Sequence, residues 1–231
     1  MKELYNFSSI VLFALLSFNL NAQYGNLYIE GIVDGDLPGG NPKAIQLFAN
    51  AAIADLSIYG LETASNGDPA VAEEFTFPSD ALNSGDCIWV TSSSTNFSSF
   101  FGFSACYTDS FVNGNGDDVY LLYCSGSISD TYEPAGTDGT GETWEYTDGW
   151  GNATDMVPNA TFDDTEWTYS GTNALDGETS NATAMTPYPN VMVNCPAVPP
   201  SISIDDVSII EGNSGTSTLN FYSNAFCNRC C

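Results

Sequence analysis

Histidine is missing from this chain altogether, and basic residues nearly so: 3 lysines and arginines stand against 29 aspartates and glutamates, a formal net charge of −26. Without an imidazole no Ser-His-Asp or Cys-His pair can be assembled, zinc loses its usual nitrogen ligand, and no side chain shuttles protons at neutral pH. Lys2 and Arg229 stand near the two ends, so between Gln23 and Cys227 the only base is Lys43. A surface of one sign repels phosphate backbones and anionic lipid, which argues against direct nucleic-acid binding without bridging cations. It attracts divalent cations and suits a saline medium that screens its self-repulsion. The remaining chemistry is that of oxygen, from carboxylates and carbonyls, which serves calcium or glycosidase-type acids.

Long apolar runs are scarce too. The one that stands out, "SSIVLFALLSF" (Ser8 to Phe18), follows Lys2 and precedes the small-residue exit "NLNA". Residues 1–22 therefore read as a secretory signal cleaved after Ala22, and no later stretch reads as a transmembrane segment. The mature chain is expected outside the cell, secreted or at the cell surface. In that oxidising setting Cys87, Cys106, Cys124 and Cys195 pair by default. None of the four has the CxxC spacing of a metal or redox site. If the strands at Asp86–Thr91 and Asp117–Cys124 are antiparallel neighbours, Cys87 lies near Cys124; Cys106–Cys124 is the close alternative. The terminal "CNRCC" (Cys227 to Cys231) resembles a thiol cluster.

What is present is strand-forming sequence. A hydrophobic content of 43% with 13% aromatics supplies an ample core. "LYIEGIV", "AIQLF", "EEFTFP", "DCIWVTS", "DDVYLLY", "TWEYT" (Thr143 to Thr147) and "EWTYSG" are short β-branched or aromatic runs separated by Gly/Asn/Asp turns. Such a series predicts an all-β, antiparallel sandwich. "PKAIQLF" (Pro42 to Phe48) reads as its buried organising strand, after the glycine-studded turn "GIVDGDLPGGN" (Gly31 to Asn41). "NFSSFFGF" (Asn96 to Phe103) suits one short helical turn whose phenylalanines plug an end of the sandwich. The prolines of "TPYPNVMVNCPAVPP" mark a stiff linker over 187–200, and "SISIDDVSIIEGNSGTSTLNF" (Ser201 to Phe221) opens a second, incomplete β-domain.

Candidate sites are few. Asp34 and Asp36 suit a calcium turn; aspartates that hydrogen-bond their own turn are the preferred reading. No EF-hand loop occurs. Asp117 and Asp118 are adjacent on a strand entry, where side chains point to opposite faces and do not grip one ion together. Lys43 is expected to pair with a neighbouring acid such as Glu30 across the sheet, in preference to contacting a ligand carboxylate, and it marks where its strand edge meets the acidic turn at Asp34 and Asp36. Trp144, Trp150, Trp167, Tyr146 and Tyr169 read as core packing in preference to a sugar-stacking platform. Glu142 and Glu145 give no glycosidase pair without a cleft.

Taken in order, "YIEGIVDGDLPGGNPKAIQLFAN", "ADLSIYGL", "FTFP", "GDCIWV", "NFSSFFGF", "NGDDVYLLY", "TDGTGETWEYTDGW" and "WTYSGTNALDG" resemble the lamin-tail type domain of secreted bacterial proteins. The resemblance covers Gly25 to about Gly177, within a domain placed at 24–186. It implies an immunoglobulin-like β-sandwich that binds or scaffolds without catalysis. "ISIDDVSIIEGNSGT" is similar to the opening of a Calx-beta domain, a family that often binds calcium, whose entry glutamate matches Glu211. The strands carrying that family's other ligands do not follow; the chain passes instead into "YSNAFCNRCC", a truncated segment over 201–231. The expectation is a non-enzymatic secreted module for binding, adhesion or scaffolding, with calcium as an assisting ion and a protein or carbohydrate ligand. The alternative is an accessory region of a secreted hydrolase, such as a nuclease, whose catalytic domain lies elsewhere.

Overall fold

The computed structural model describes residues 25–155 and 157–197. The signal segment, Glu211 and the Calx-beta-like strands lie outside them. Two sheets face each other. One has six strands in the order β10-β9-β1-β2-β5-β6: β1 (Leu27–Leu37), β2 (Asn41–Ala49), β5 (Cys87–Thr91), β6 (Tyr107–Thr108), β9 (Gly149–Ala153) and β10 (Trp167–Tyr169). The other has four in the order β4-β3-β7-β8: β3 (Tyr59–Ala64), β4 (Phe75–Thr76), β7 (Val119–Cys124) and β8 (Ser127–Tyr132). All the strand pairs are antiparallel except β5 with β6. The described region is an all-β sandwich.

Side-chain alternation explains the layers. Ile45 and Leu47 of β2, Ile88 and Val90 of β5, and Tyr120, Leu122 and Cys124 of β7 meet in the central core. Their neighbours Ala44 and Trp89 point the other way, into a second cluster with Phe97, Phe100, Trp150, Leu175 and Tyr188. The six-stranded sheet is thus covered on both faces, which is why all five residues of β5 are buried. In β1 a register shift between Ile29 and Gly31 moves the inward set from Leu27 and Ile29 to Ile32.

The helix α1 (Ser94–Phe101) supplies part of the outer layer. Ser93 caps it by accepting a hydrogen bond from the Asn96 amide at 3.3 Å, and Gly102 ends it at φ +81°. Its buried Phe97 and Phe100 lie against Trp89 and the outer face of the sheet, not at an end of the sandwich. Burial there follows from the sheet needing cover on both sides.

Several expectations need correction. β5 and β7 are not neighbours; they belong to different sheets, and β7 pairs with β3 and β8. Thr143–Thr147 is a turn, not a strand, because Tyr146 is spent on anchoring it: its amide donates to Gly116 O at 2.6 Å and its ring is fully buried. The strand lies just beyond, in the glycine-rich β9. The glycine-studded stretch is strand through Leu37, and only Pro38–Gly40 turns. Gly31 sits in that strand to admit Tyr188, since a Cβ there would overlap the Tyr188 hydroxyl.

The proline-rich segment is not a free linker as far as Cys195. The Tyr188 hydroxyl donates to Gln46 Oε1 at 2.6 Å, Trp89 Nε1 donates to Met192 O at 2.9 Å, and the Asn194 amide donates to Cys87 O at 2.6 Å. A disulfide between Cys106 and Cys195 fastens the end of this strap. The pairings of Cys124 with Cys87 or Cys106 are therefore not formed: Cys87 and Cys124 are free, buried and in different sheets.

Gly31→Ala is expected to displace Tyr188 and destabilise the fold by about 1–3 kcal/mol, the range for overpacking a filled site. Urea denaturation measures it, and an unchanged midpoint would show that Tyr188 is not held against Gly31.

Candidate functional site

The lone base is held at one end of the central core. Lys43 stands directly opposite Asp34 across β1 and β2. Its ammonium donates to Asp34 Oδ1 at 2.8 Å and to the Gly114 carbonyl at 2.6 Å, with both side chains largely buried. Asp34 Oδ2 accepts from the Asp148 amide at 3.3 Å. Gly114 in turn donates its N–H to the Tyr120 hydroxyl at 3.1 Å. One ammonium group therefore ties β1 and β2 of the larger sheet to the loop that enters β7 of the smaller one. Burial pushes the Asp34 carboxyl up to about 6, against the lowering effect of the Lys43 charge.

Glu30 does not take this partner. Its Oε2 accepts from the Cys87 thiol at 3.4 Å and its Oε1 from the Asn190 side-chain amide. The strand register places Asp34 across from Lys43 and leaves Glu30 beside Gln46, three residues further along β2. Burial first, then the Glu30 carboxylate, pushes the Cys87 thiol up to about 12, so it is no nucleophile.

Asp36 and Asp34 are separated in what they bind. Asp36 Oδ2 accepts from the Gly177 amide at 2.8 Å, so the two aspartates hold different chain segments. Asp118, fully buried, accepts from the Asn66 and Asn115 amides at 2.7 and 2.8 Å, while Asp117 accepts from the Thr140 hydroxyl at 2.8 Å. Glu145 accepts from the Gly141 amide and the Thr147 hydroxyl. Among the described residues no three His, Cys, Asp or Glu side chains are grouped so as to hold a metal ion.

The tryptophans share no platform. Trp150 packs with Tyr188 on the outer face, and its indole N–H donates to Thr186 O at 2.9 Å. Trp167, Tyr146 and Tyr169 ring Tyr132 at the inner cluster, and Trp144 joins them through Phe162. Beside this aromatic group lies a recess of about 260 Å³ lined by Leu121, Ile128, Pro134, Ala135 and Phe162 among others.

The residue that sequence reasoning passes over is Glu133, just after β8. It is fully buried in a left-handed backbone conformation, φ +70°, and neither carboxylate oxygen has a hydrogen-bond partner. Burial, reinforced by Asp117, Asp118, Asp138 and Glu145, pushes its carboxyl up to about 9. Its place in "DTYEPAG" resembles a solvated turn, and no local signal marks it otherwise. Asp130 is the contrasting case: also buried, it accepts three backbone N–H bonds, from Ile29, Asn159 and Thr131, at 2.7 to 3.0 Å.

Comparison with family models, with curated proteins and with solved structures finds no match. Among the described residues no helix is long and apolar enough to cross a membrane.

Lys43→Met leaves Asp34 buried without its charge partner and is expected to destabilise the fold by ~3–5 kcal/mol, read from urea denaturation. Adding Asp34→Leu should recover much of that loss; a deficit under ~1 kcal/mol for the single variant would mark an ordinary surface pair.

A pH effect of definite sign follows from Asp34 and Asp130, the latter pushed up to about 7 chiefly by burial. Both values lie above the ordinary 3.8, so the folded chain binds more protons than the unfolded one. Their stabilisation is full below the ordinary carboxylate range and is lost as pH rises through about 6 and 7. The melting temperature should therefore fall between about pH 4.5 and pH 8. The fall should persist in 0.5 M NaCl, where the repulsion of exposed acids is screened.

Proposed function

We propose that the chain is a non-catalytic secreted β-sandwich module for binding, adhesion or scaffolding within a larger extracellular protein. The observation that carries this reading is how the chemically distinctive side chains are employed. Lys43, paired with Asp34, ties the larger sheet to the loop entering β7, Asp118 and Asp130 collect backbone amides from loops, and Glu62 holds the Val71 and Ala72 amides and the Tyr123 hydroxyl. Each is turned inward to hold chain segments, and Asp130, which lines a recess with Tyr28 and Trp167, is spent on three backbone amides. Loops on such a frame are the natural carriers of recognition.

Two further features support it. The Cys106–Cys195 disulfide is of the kind that oxidising compartments maintain. The resemblance to lamin-tail type domains points to the same class of module.

The test presents the purified full chain, displayed multivalently, to glycan and extracellular-protein arrays, with parallel assays on chromogenic glycoside, phosphodiester and peptide substrates. Saturable binding without turnover is the expected result. Turnover abolished by one carboxylate substitution would overturn the proposal, as would arrays blank under every condition.

A further inference from the structure

A carboxylate removed from water is stabilised by hydrogen-bond donors, a cationic side chain, a proton or a metal ion. Every other buried acid described here has one of the first two. Asp34 has Lys43; Glu30 has the Cys87 thiol and the Asn190 amide; Glu62, Asp118 and Asp130 have hydroxyl or backbone donors. Glu133 has neither, at either oxygen.

Its surroundings make the gap specific. The carboxylate faces the loop Pro134–Glu142, where a Cβ at Gly139 would fall 2.5 Å from Oε2 and 2.9 Å from Oε1. Only a glycine lets the loop backbone approach both oxygens this closely. The loop is pinned around it: the Gly139 amide donates to Asp117 O at 3.2 Å, the Thr140 hydroxyl to Asp117 Oδ2, the Thr140 amide to Asp138 Oδ1 and the Gly141 amide to Glu145 Oε2. Asp117, Asp118, Asp138 and Glu145 all add negative potential at Glu133. A site of this kind repels anions and favours a hard cation.

We infer that the Glu133 carboxylate, with the Asp138–Thr140 turn closed over it, is the anchor of a binding site for one calcium-class divalent cation. The site is not a cage of carboxylates, because no three acidic side chains are grouped to hold an ion among the described residues. Glu133 supplies both of its oxygens, and main-chain oxygens, hydroxyls and water complete the shell of 6–8 oxygens that calcium accepts in flexible geometry. The four surrounding acids contribute charge without ligation. The ion would join the end of β8 to the 134–142 loop, and so to the loop entering β7.

The inference stands apart from the binding-module reading, which survives if no ion is found. Isothermal titration of the chelator-treated full chain with calcium chloride in 0.15 M NaCl is expected to show one saturable site. The melting temperature should rise by roughly 5–10 °C at a hundredfold excess over Kd. Glu133→Gln, close in shape and uncharged, should weaken binding at least tenfold and remove most of the calcium-dependent rise. Gly139→Ala, whose methyl would press on both carboxylate oxygens and displace them, should do the same, and covers the case in which Glu133→Gln does not fold. Asp36→Asn, at the turn singled out from sequence, should bind as the parent does. Only diffuse, salt-suppressed binding in the parent would overturn the site, and so would a saturable site unaltered in the folded Glu133 and Gly139 variants.

Discussion

The interaction on which the sandwich turns is the contact of Lys43 with Asp34 and the Gly114 carbonyl. A two-sheet core is held by apolar contacts that are individually non-directional, and these leave the angle and offset of the sheets loosely defined. A charge-assisted bond from β2 to β1, with a second bond to the loop before β7, sets one position for the two sheets at that end. The register makes this contact available: the shift between Ile29 and Gly31 turns Asp34 inward, opposite Lys43. Without it Val33 would stand opposite Lys43, and the one ammonium in the described region would face an apolar side chain.

The extreme charge of the chain then explains how the rest is built. With a single base among the described residues, side-chain ion pairs cannot organise the loops, so backbone amides do the work. Asp118 gathers Asn66 and Asn115, Asp130 gathers Ile29, Thr131 and Asn159, and Asp36 gathers Gly177. Carboxylates taking one to three N–H bonds fasten long irregular connections that have little apolar material of their own. The disulfide follows the same logic at the far end, tying the strap over the outer face of the larger sheet to Cys106. Acidity is a structural resource here as well as a property of the surface.

Much of this was legible in sequence. The apolar runs at Leu27, Ala44, Cys87 and Val119 became strands because alternation and β-branched content report local burial, and the phenylalanines near Asn96 became the helix α1. β9 was not legible: "GWGNA" has two glycines, and its strand character comes from pairing with β1 and β10. The Cys106–Cys195 bridge was equally hidden, since residue order does not reveal that the proline-rich segment doubles back over β5. The placing of Asp34, and not Val33, across from Lys43 depended on a bulge, and bulges carry no reliable sequence mark.

Glu133 was the least legible residue, and the reason is electrostatic. A glutamate before proline and glycine reads as exposed, because such residues are rarely buried without a partner. What reverses the reading is a set of non-local contacts, with 117–118 on one side and 138–145 on the other, that close over it and bring four more acids near. With Lys43 already committed to Asp34, no other basic side chain in the described region can reach Glu133 as a counter-charge. Compensation must therefore come from solution, as a proton or as a metal ion. A proton neutralises this one carboxyl, whereas a divalent cation engages both oxygens at once and also lowers the repulsion from the four neighbouring acids. The distribution of charge, more than the shape of the site, is what favours the ion.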